Sequence, residues 1–173
     1  MKRAVPARGK HQAPATPKDT AIRILVLLLV VIVLLVNLFS HVVSVVHYYG
    51  DSMEPTLSDR QLLVIAKTGR VDEGDMVAFY YNNKVLVRRV ICAGGRELSI
   101  DNAGNVTIDG QALEEPYVST RSFGQCNLTF PYSVPVGQYF VMGDNRAIAM
   151  DSRLAEIGTI SADRIIGKVV FHL

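Results

Sequence analysis

Residues 76–91 read MVAFYYNNKVLVRRVI, and this stretch predicts the fold of the chain. Two runs of branched and aromatic residues flank Asn82 and Asn83. Asparagine tolerates the positive φ angles of a two-residue hairpin turn, so the stretch predicts two antiparallel strands, 76–81 and 84–91. Because side chains alternate along a strand, the even-numbered residues from 84 to 90 should share one face, and the odd-numbered residues from 85 to 91 the other.

Shorter runs of the same kind extend the pattern on both sides of this hairpin. They predict further strands at 61–66, 97–100, 106–108, 139–142 and 165–171, with turn-forming residues between them. We therefore expect residues 47–173 to form a mostly β domain, built as an antiparallel sheet with a barrel-like form.

An apolar segment precedes this domain. Residues 24–43 contain no Asp, Glu, Lys or Arg, and a helix of about 20 residues spans the roughly 30 Å of a bilayer core. We expect one transmembrane anchor at 21–46. A cleaved signal peptide would have a shorter apolar core ending at an A-x-A site, which is absent. A buried helix of a soluble protein would need a larger core than the remaining chain supplies.

The charge distribution predicts the orientation of that anchor. Residues 1–23 contain six basic residues and one acidic residue, whereas the whole chain has a net charge of only +2. The positive-inside rule places the basic tail, residues 1–20, in the cytoplasm and residues 47–173 outside it, in a single-pass protein of the cell membrane. The rest of the chain is net negative, which argues against a nucleic-acid-binding protein.

The two cysteines, Cys92 and Cys126, fall in the part predicted to lie outside the cytoplasm. A disulfide between them would close a loop of 34 residues, and such bonds persist in oxidising compartments. Two free, buried cysteines are an equally good interpretation, and the spacing matches no metal-ligand pattern.

A serine lies in a tight loop soon after the apolar segment. Residues 49–57 read YGDSMEPTL, with Gly50 before Ser52 and Pro55 after it. Glycine lets the backbone approach a substrate closely, proline stiffens the loop, and the Ser52 N–H is available to stabilise an oxyanion. These features fit a nucleophile, although a plain Asp-Ser turn at the start of a domain fits them as well.

The motif Gly-Asp-Ser-Met-x-Pro-Thr-Leu, soon after an apolar segment, resembles the nucleophile box of the type I signal peptidases, the bacterial leader peptidase family. Later stretches resemble further boxes of that family in the same order: 70–79, 87–91, and 143–146 with 151–153. Together these boxes cover the chain from the apolar segment to its end. No large insertion separates Arg89 from Gly143, and in this respect the chain resembles the compact enzymes of Gram-positive bacteria.

The resemblance implies a membrane-bound serine endopeptidase that removes N-terminal signal peptides from secreted precursor proteins. It implies that Ser52 is the nucleophile, and that Met53 contributes to an apolar, substrate-binding surface near the membrane. Four residues of the last box would support the wall of the site, the latter two as an ion pair: Asp144, Arg146, Asp151 and Arg153.

The implied partners are secretory precursor proteins, through their signal peptides, and the lipid bilayer. We expect no cofactor, metal ion or nucleic acid to take part, because the acidic residues show no ligand spacing. Glu114 and Glu115, next to Pro116, indicate a solvated turn rather than an acid–base pair.

The chain departs from the family pattern at the general base. The family has a lysine in a Val-Lys-Arg strand that aligns with Val87-Arg88-Arg89, so Arg88 occupies the base position. A buried lysine can lose its proton and then accept one from serine, whereas arginine stays charged at its usual pKa. The family's serine two residues before the Asp of the last box is replaced by Ala149, so both members of one contact differ.

Three hypotheses follow from this departure. Arg88 takes the base position, either deprotonated or orienting a water molecule or the peptide carbonyl. Alternatively Lys84 is the base, although four residues along a strand separate it from Arg88 by about 13 Å. A histidine base is not supported, since His41 and His47 flank the apolar segment and His172 lies near the end of the chain. In the third hypothesis the chain is an inactive homologue that binds signal sequences or secretion partners.

Overall fold

The computed structural model describes residues 17–173. The predicted basic tail, residues 1–20, therefore lies outside the described residues except for its last four positions, which belong to a helix. The chain divides after Phe39 into two compact units.

The first regular element among the described residues is helix α1, which spans Pro17–Val42. Its segment Thr20–Val42 is long and apolar enough to cross a membrane, and its most apolar window is not buried in the structure. Leucine, isoleucine and valine occur on all sides of the helix, which is typical of a membrane span rather than of an amphipathic helix on a core. The predicted anchor extended to position 46, and this boundary is corrected. Residues 43–47 form a strand, because their three valines favour extended backbone that pairs with residues 62–66.

The second unit is built from short strands and one turn of 3-10 helix, Ala162–Arg164, within the described part of the chain. The strands are β1 Val43–His47, β2 Leu62–Ala66, β3 Met76–Tyr81, β4 Lys84–Ala93, β5 Glu97–Ile100, β6 Val106–Ile108, β7 Gln111–Ala112, β8 Tyr132–Ser133, β9 Gln138–Met142, β10 Ile160–Ser161 and β11 Ile165–His172. The seven predicted strands are confirmed, with ends that differ by no more than two residues. The prediction missed β1, β7, β8 and β10; the last three have two residues each, too few to show a period.

The strands form two antiparallel sheets. The larger sheet has the order β1-β2-β11-β3-β4-β9-β10, and the smaller has the order β7-β6-β5-β8. The predicted hairpin of β3 and β4 is confirmed: Asn82 and Asn83 have φ angles of 45° and 60°, and the register pairs Val77 with Arg88. The prediction of a mostly antiparallel β domain that follows an apolar helix in the sequence is confirmed.

Apolar side chains cover both faces of the larger sheet. Val77 and Phe79 of β3 belong to one buried cluster, whereas Ala78 between them belongs to another, which also contains residues from the loop after β1. A third cluster joins the smaller sheet to the ends of β4 and β9. The loop that carries Ser52 is therefore packed on one face of the larger sheet.

The cysteines are both free thiols in the structure. Cys92 is buried in the third cluster, and Cys126 is half-buried. Of the two interpretations of the sequence, the structure has the one without a disulfide.

Candidate active site

The loop between β1 and β2 is held in a closed turn by backbone hydrogen bonds. The Tyr48 N–H donates to the Gln61 carbonyl at 2.8 Å, and the Leu57 N–H donates to the Met53 carbonyl at 2.9 Å. Gly50 has a φ of +101°, a conformation that favours glycine, and its N–H donates to Asp59 Oδ1 at 2.7 Å. The sequence thus fixes the backbone on both sides of Ser52.

This loop is docked against the segment that begins with Gly143. A Cβ on Gly143 would lie 2.5 Å from the Ser52 carbonyl oxygen, so only glycine allows so close an approach. The Asn145 N–H donates to the same oxygen at 3.1 Å, and Asn145 Nδ2 donates to the Asp51 carbonyl at 3.2 Å. Two motifs that lie about 90 residues apart in the sequence are thereby brought together.

The Ser52 hydroxyl contacts two polar side chains. Arg88 Nη1 donates to Ser52 Oγ at 2.9 Å, and Tyr48 Oη lies 3.1 Å from the same oxygen. Tyr48 is buried, whereas Ser52 is half-buried and reaches the surface. The structure therefore brings the two predicted site residues together and adds Tyr48, which the sequence analysis did not single out.

Arg88 is held by oxygen atoms that carry no formal charge. Its Nε donates to the Met150 carbonyl at 2.9 Å and its Nη1 to the Val87 carbonyl at 2.6 Å, in addition to the contact with Ser52. The residue is only 4% exposed, and it takes part in no ion pair within the described residues. Burial lowers the pKa of Arg88 from its ordinary value, and the negative charge of Asp151 acts in the opposite direction.

Asp151 and Arg153, which were predicted to support the wall of the site, form a buried two-point ion pair. Arg153 Nε and Nη2 each lie 2.8 Å from an Asp151 oxygen, and both side chains are fully buried. The same carboxylate accepts the Gly143 N–H at 3.0 Å. This pair therefore fixes the segment on which the Ser52 loop is docked.

Asp144 and Arg146, which were also predicted to support the wall of the site, each pair with a residue from a distant part of the sequence. Asp144 accepts hydrogen bonds from Arg89 Nε at 2.9 Å and from Arg89 Nη2 at 2.5 Å. It also accepts a hydrogen bond from the Thr56 hydroxyl. Arg146 binds both carboxylate oxygens of Glu115. Ion pairs with buried carboxylates thus lie beside the docked loop.

Glu115 corrects an expectation from the sequence. Glu114 is exposed, as expected for a solvated turn, but Glu115 is only 5% exposed and pairs with Arg146, 31 residues away in sequence. Burial raises the pKa of the neighbouring Tyr117 phenol above its usual range, and the negative charge of Glu115 adds to that shift. The Tyr117 ring also lies under the Arg89 guanidinium, 4.0 Å from its carbon.

The predicted placement of Met53 on an apolar surface is corrected as well. Its side chain is fully buried and packs in one cluster with Tyr48, Leu57 and Val87. The closed turn directs it inward, beneath the loop. Met53 contributes its backbone N–H to the site, and this N–H donates to Tyr48 Oη at 3.0 Å.

Two grooves meet at Ser52 and Arg88. One, of about 500 Å³, is lined by Val46, His47, Tyr48, Tyr49, Ser52 and residues 84–88. The other, of about 350 Å³, is lined by Ser52, Tyr81, Asn82, Lys84, Leu86, Arg88, Ile148, Met150 and Ile157. Lys84 and His47 thus border the grooves, but neither makes a hydrogen bond to the Ser52 hydroxyl.

The beginning of β4 has one unpaired edge. Residues 84–89 pair with β3 on one side, whereas on the other side β9 pairs only from Arg89 onward. The free edge at 84–88 borders both grooves, so an extended peptide has backbone partners there. Among residues 17–173, no group of three or more His, Cys, Asp or Glu side chains is placed to hold a metal ion.

Comparison with known proteins agrees with this architecture. Residues 20–173 match the family model described as signal peptidase, peptidase S26. The chain is 34% identical over 143 residues to signal peptidase IB of Staphylococcus aureus (strain Mu50 / ATCC 700699), covering 71% of this chain and 73% of the relative. It is 36% identical over 136 residues to signal peptidase I of Bacillus amyloliquefaciens, covering 70% and 69% of the two chains. A crystal structure of a signal peptidase I from Enterococcus faecalis V583 shares the fold, with a TM-score of 0.50 at 24% identity over 59% of this chain and 98% of that one.

Proposed function

The chain belongs to the signal peptidase family, peptidase S26, and from that premise we propose that it is a membrane-bound serine endopeptidase that cleaves signal peptides from secretory precursors. Ser52 is the nucleophile of this proposal. The observation that carries it is the Ser52 hydroxyl, which lies where two grooves meet and is hydrogen-bonded to Arg88.

In the proposed reaction, Ser52 Oγ attacks the carbonyl carbon of the residue before the cleavage site and forms an acyl-enzyme. The Ser52 N–H donates to no acceptor within the described residues, so it is available to the oxyanion of the tetrahedral intermediate. Water then hydrolyses the ester and releases the signal peptide.

Arg88 acts in this proposal as a fixed cation rather than as a base. A guanidinium has donors and no acceptor, so while it stays charged it cannot take the serine proton. Its hydrogen bond holds Ser52 Oγ in place, and its charge stabilises the negative charge that develops beside it during attack.

The precursor would bind in an extended conformation along the free edge of β4. Backbone hydrogen bonds to residues 84–88 would hold the chain in register, and the grooves on either side of Ser52 would take the side chains near the cleavage site. Helix α1 would be the single membrane anchor, with the basic N-terminus in the cytoplasm and the β domain outside it.

Cleavage of a secretory precursor by the purified full-length protein in detergent micelles tests the proposal. Wild type should cut at the end of the signal peptide, and Ser52→Ala should abolish cleavage. Ser133→Ala is the matched control, because this serine is exposed on the smaller sheet, and it should cleave as wild type does. A wild type that leaves the precursor intact, or a Ser52→Ala protein that still cleaves it, would contradict the proposal.

A further inference from the structure

We propose that Tyr48 is a catalytic residue and that its phenolate accepts the proton from Ser52 Oγ. This inference rests on the proposed function, because it assigns the base for the same nucleophile. Arginine at the base position leaves the reaction without a proton acceptor, and Tyr48 Oη lies 3.1 Å from the reacting oxygen.

The contacts of Ser52 leave one acceptor for its proton. Within the described residues, the side chains that hydrogen-bond to Ser52 Oγ are those of Arg88 and Tyr48. Arg88 fills one position around the oxygen with a donated N–H, so it cannot receive the proton. An oxygen within hydrogen-bond distance meets the geometric condition for a general base.

The Tyr48 oxygen has an N–H donor and a cation as neighbours. Its Oη accepts the Met53 N–H at 3.0 Å, and the Arg88 cation faces it from β4 across Ser52 Oγ. His47, Tyr49 and Lys84 line the same groove as Tyr48, and the charges of Asp151 and Arg153 act on Arg88.

The proton transfers balance when Tyr48 begins as a phenolate, having lost its proton to solvent. The phenolate takes the Ser52 proton as the bond from Oγ to the carbonyl carbon forms. Tyr48 then gives that proton to the amide nitrogen as the carbon–nitrogen bond breaks. In the second half, Tyr48 takes a proton from the attacking water and returns it to Ser52 Oγ as the ester bond breaks. Arg88 stays protonated throughout, and one water is consumed for each peptide bond.

The first test removes only the hydroxyl. Tyr48→Phe should lower kcat by about 100-fold to 10,000-fold, the usual contribution of a general base, with little change in KM. Tyr80→Phe is the matched control, because this tyrosine is 61% exposed on β3 and lies outside both grooves. Cleavage by Tyr48→Phe at the rate of Tyr80→Phe would overturn the inference.

A second test separates proton transfer from mere positioning of Ser52. Replacement of Tyr48 by 3,5-difluorotyrosine retains the hydroxyl and its contacts but makes the phenol more acidic. A phenol is a base only after ionisation, so kcat/KM of wild type should rise with pH on an alkaline limb, and the fluorinated protein should show this limb at lower pH. A limb that does not move would show that Tyr48 only positions the serine, which would overturn the inference.

Labelling of Ser52 with a small fluorophosphonate, followed by intact mass, distinguishes failure of this inference from failure of the proposed function. Labelling needs no precursor, so it reports the nucleophilicity of Ser52 directly. A protein that labels in a Tyr48-dependent manner but cleaves no precursor would support the inference and contradict the proposed function. A protein that cleaves and labels equally well with and without the Tyr48 hydroxyl would do the opposite.

Discussion

Arginines with little exposure to solvent occur in two different surroundings in this protein. In the wall behind the site, Arg89, Arg146 and Arg153 each bind a buried carboxylate at two points. In the cleft, Arg88 is also buried but is held by two backbone carbonyls and the Ser52 hydroxyl.

The ion-paired arginines support the fold, whereas Arg88 lies at the Ser52 hydroxyl. A paired buried charge is stabilised by its partner, and loss of that partner is strongly destabilising. An unpaired buried cation keeps its desolvation penalty, so the fold gains little from Arg88. We infer that this residue is retained for what its charge does at Ser52, and the predictions below test the contrast.

The largest expected effect comes from breaking the buried ion pair of Asp151 and Arg153. Asp151→Ala would leave Arg153 as a buried, unpaired cation, and the free energy of unfolding should fall by about 3–5 kcal/mol. Asp72→Ala is the control, because its ion pair with Arg70 is exposed and is worth no more than about 1 kcal/mol. Urea denaturation measures both, and similar values for the two variants would remove the basis of the comparison.

A smaller effect is expected at Arg89, whose guanidinium contacts the Tyr117 ring as well as Asp144. Tyr117→Leu removes the aromatic ring that lies 4.0 Å from the Arg89 guanidinium carbon, a cation–π contact worth roughly 0.5–2 kcal/mol. The variant should unfold at a correspondingly lower urea concentration while it still cleaves precursor. Because the Arg89 pair with Asp144 remains, a loss as large as that of Asp151→Ala would contradict this ranking.

The third prediction concerns the stability that a buried, neutral group contributes at alkaline pH. Burial raises the pKa of the Cys92 thiol from 9.0 to about 11. The folded protein therefore holds this proton more tightly than the unfolded chain, and the resulting stability is complete below pH 9 and is lost as the pH rises towards 11. Cys92→Ala should show a shallower alkaline loss of stability than Cys126→Ala, which keeps Cys92. Identical alkaline slopes in the two variants would contradict this account of Cys92.

Strand positions followed from the sequence because they depend on neighbours along the chain. The alternation in residues 76–91 and the two asparagines between the runs were enough to predict β3, β4 and their turn. The start of the domain was not predictable in the same way, because the valines of residues 43–47 fit a membrane helix as well as a strand. Their pairing with β2 decided the outcome.

Only those site residues that lie in a family motif were predictable from the sequence. Ser52 and Arg88 were singled out by their boxes, and the structure places them in contact. Tyr48 was missed because a tyrosine beside an apolar segment is typical of the membrane interface. The inward turn of Met53 and the pairing of Glu115 with Arg146 were missed because they depend on how loops distant in sequence dock together.

The most direct test replaces an arginine by methionine in each surrounding and measures both unfolding and precursor cleavage. Arg153→Met should lose about 3–5 kcal/mol of stability, because Asp151 is left buried without a partner. Arg88→Met should lose less, about 1–3 kcal/mol, since only uncharged oxygens lose a donor, yet its cleavage rate should fall by at least roughly 100-fold. If Arg88→Met is instead destabilised as much as Arg153→Met, or cleaves precursor at the wild-type rate, Arg88 serves the fold and not the reaction.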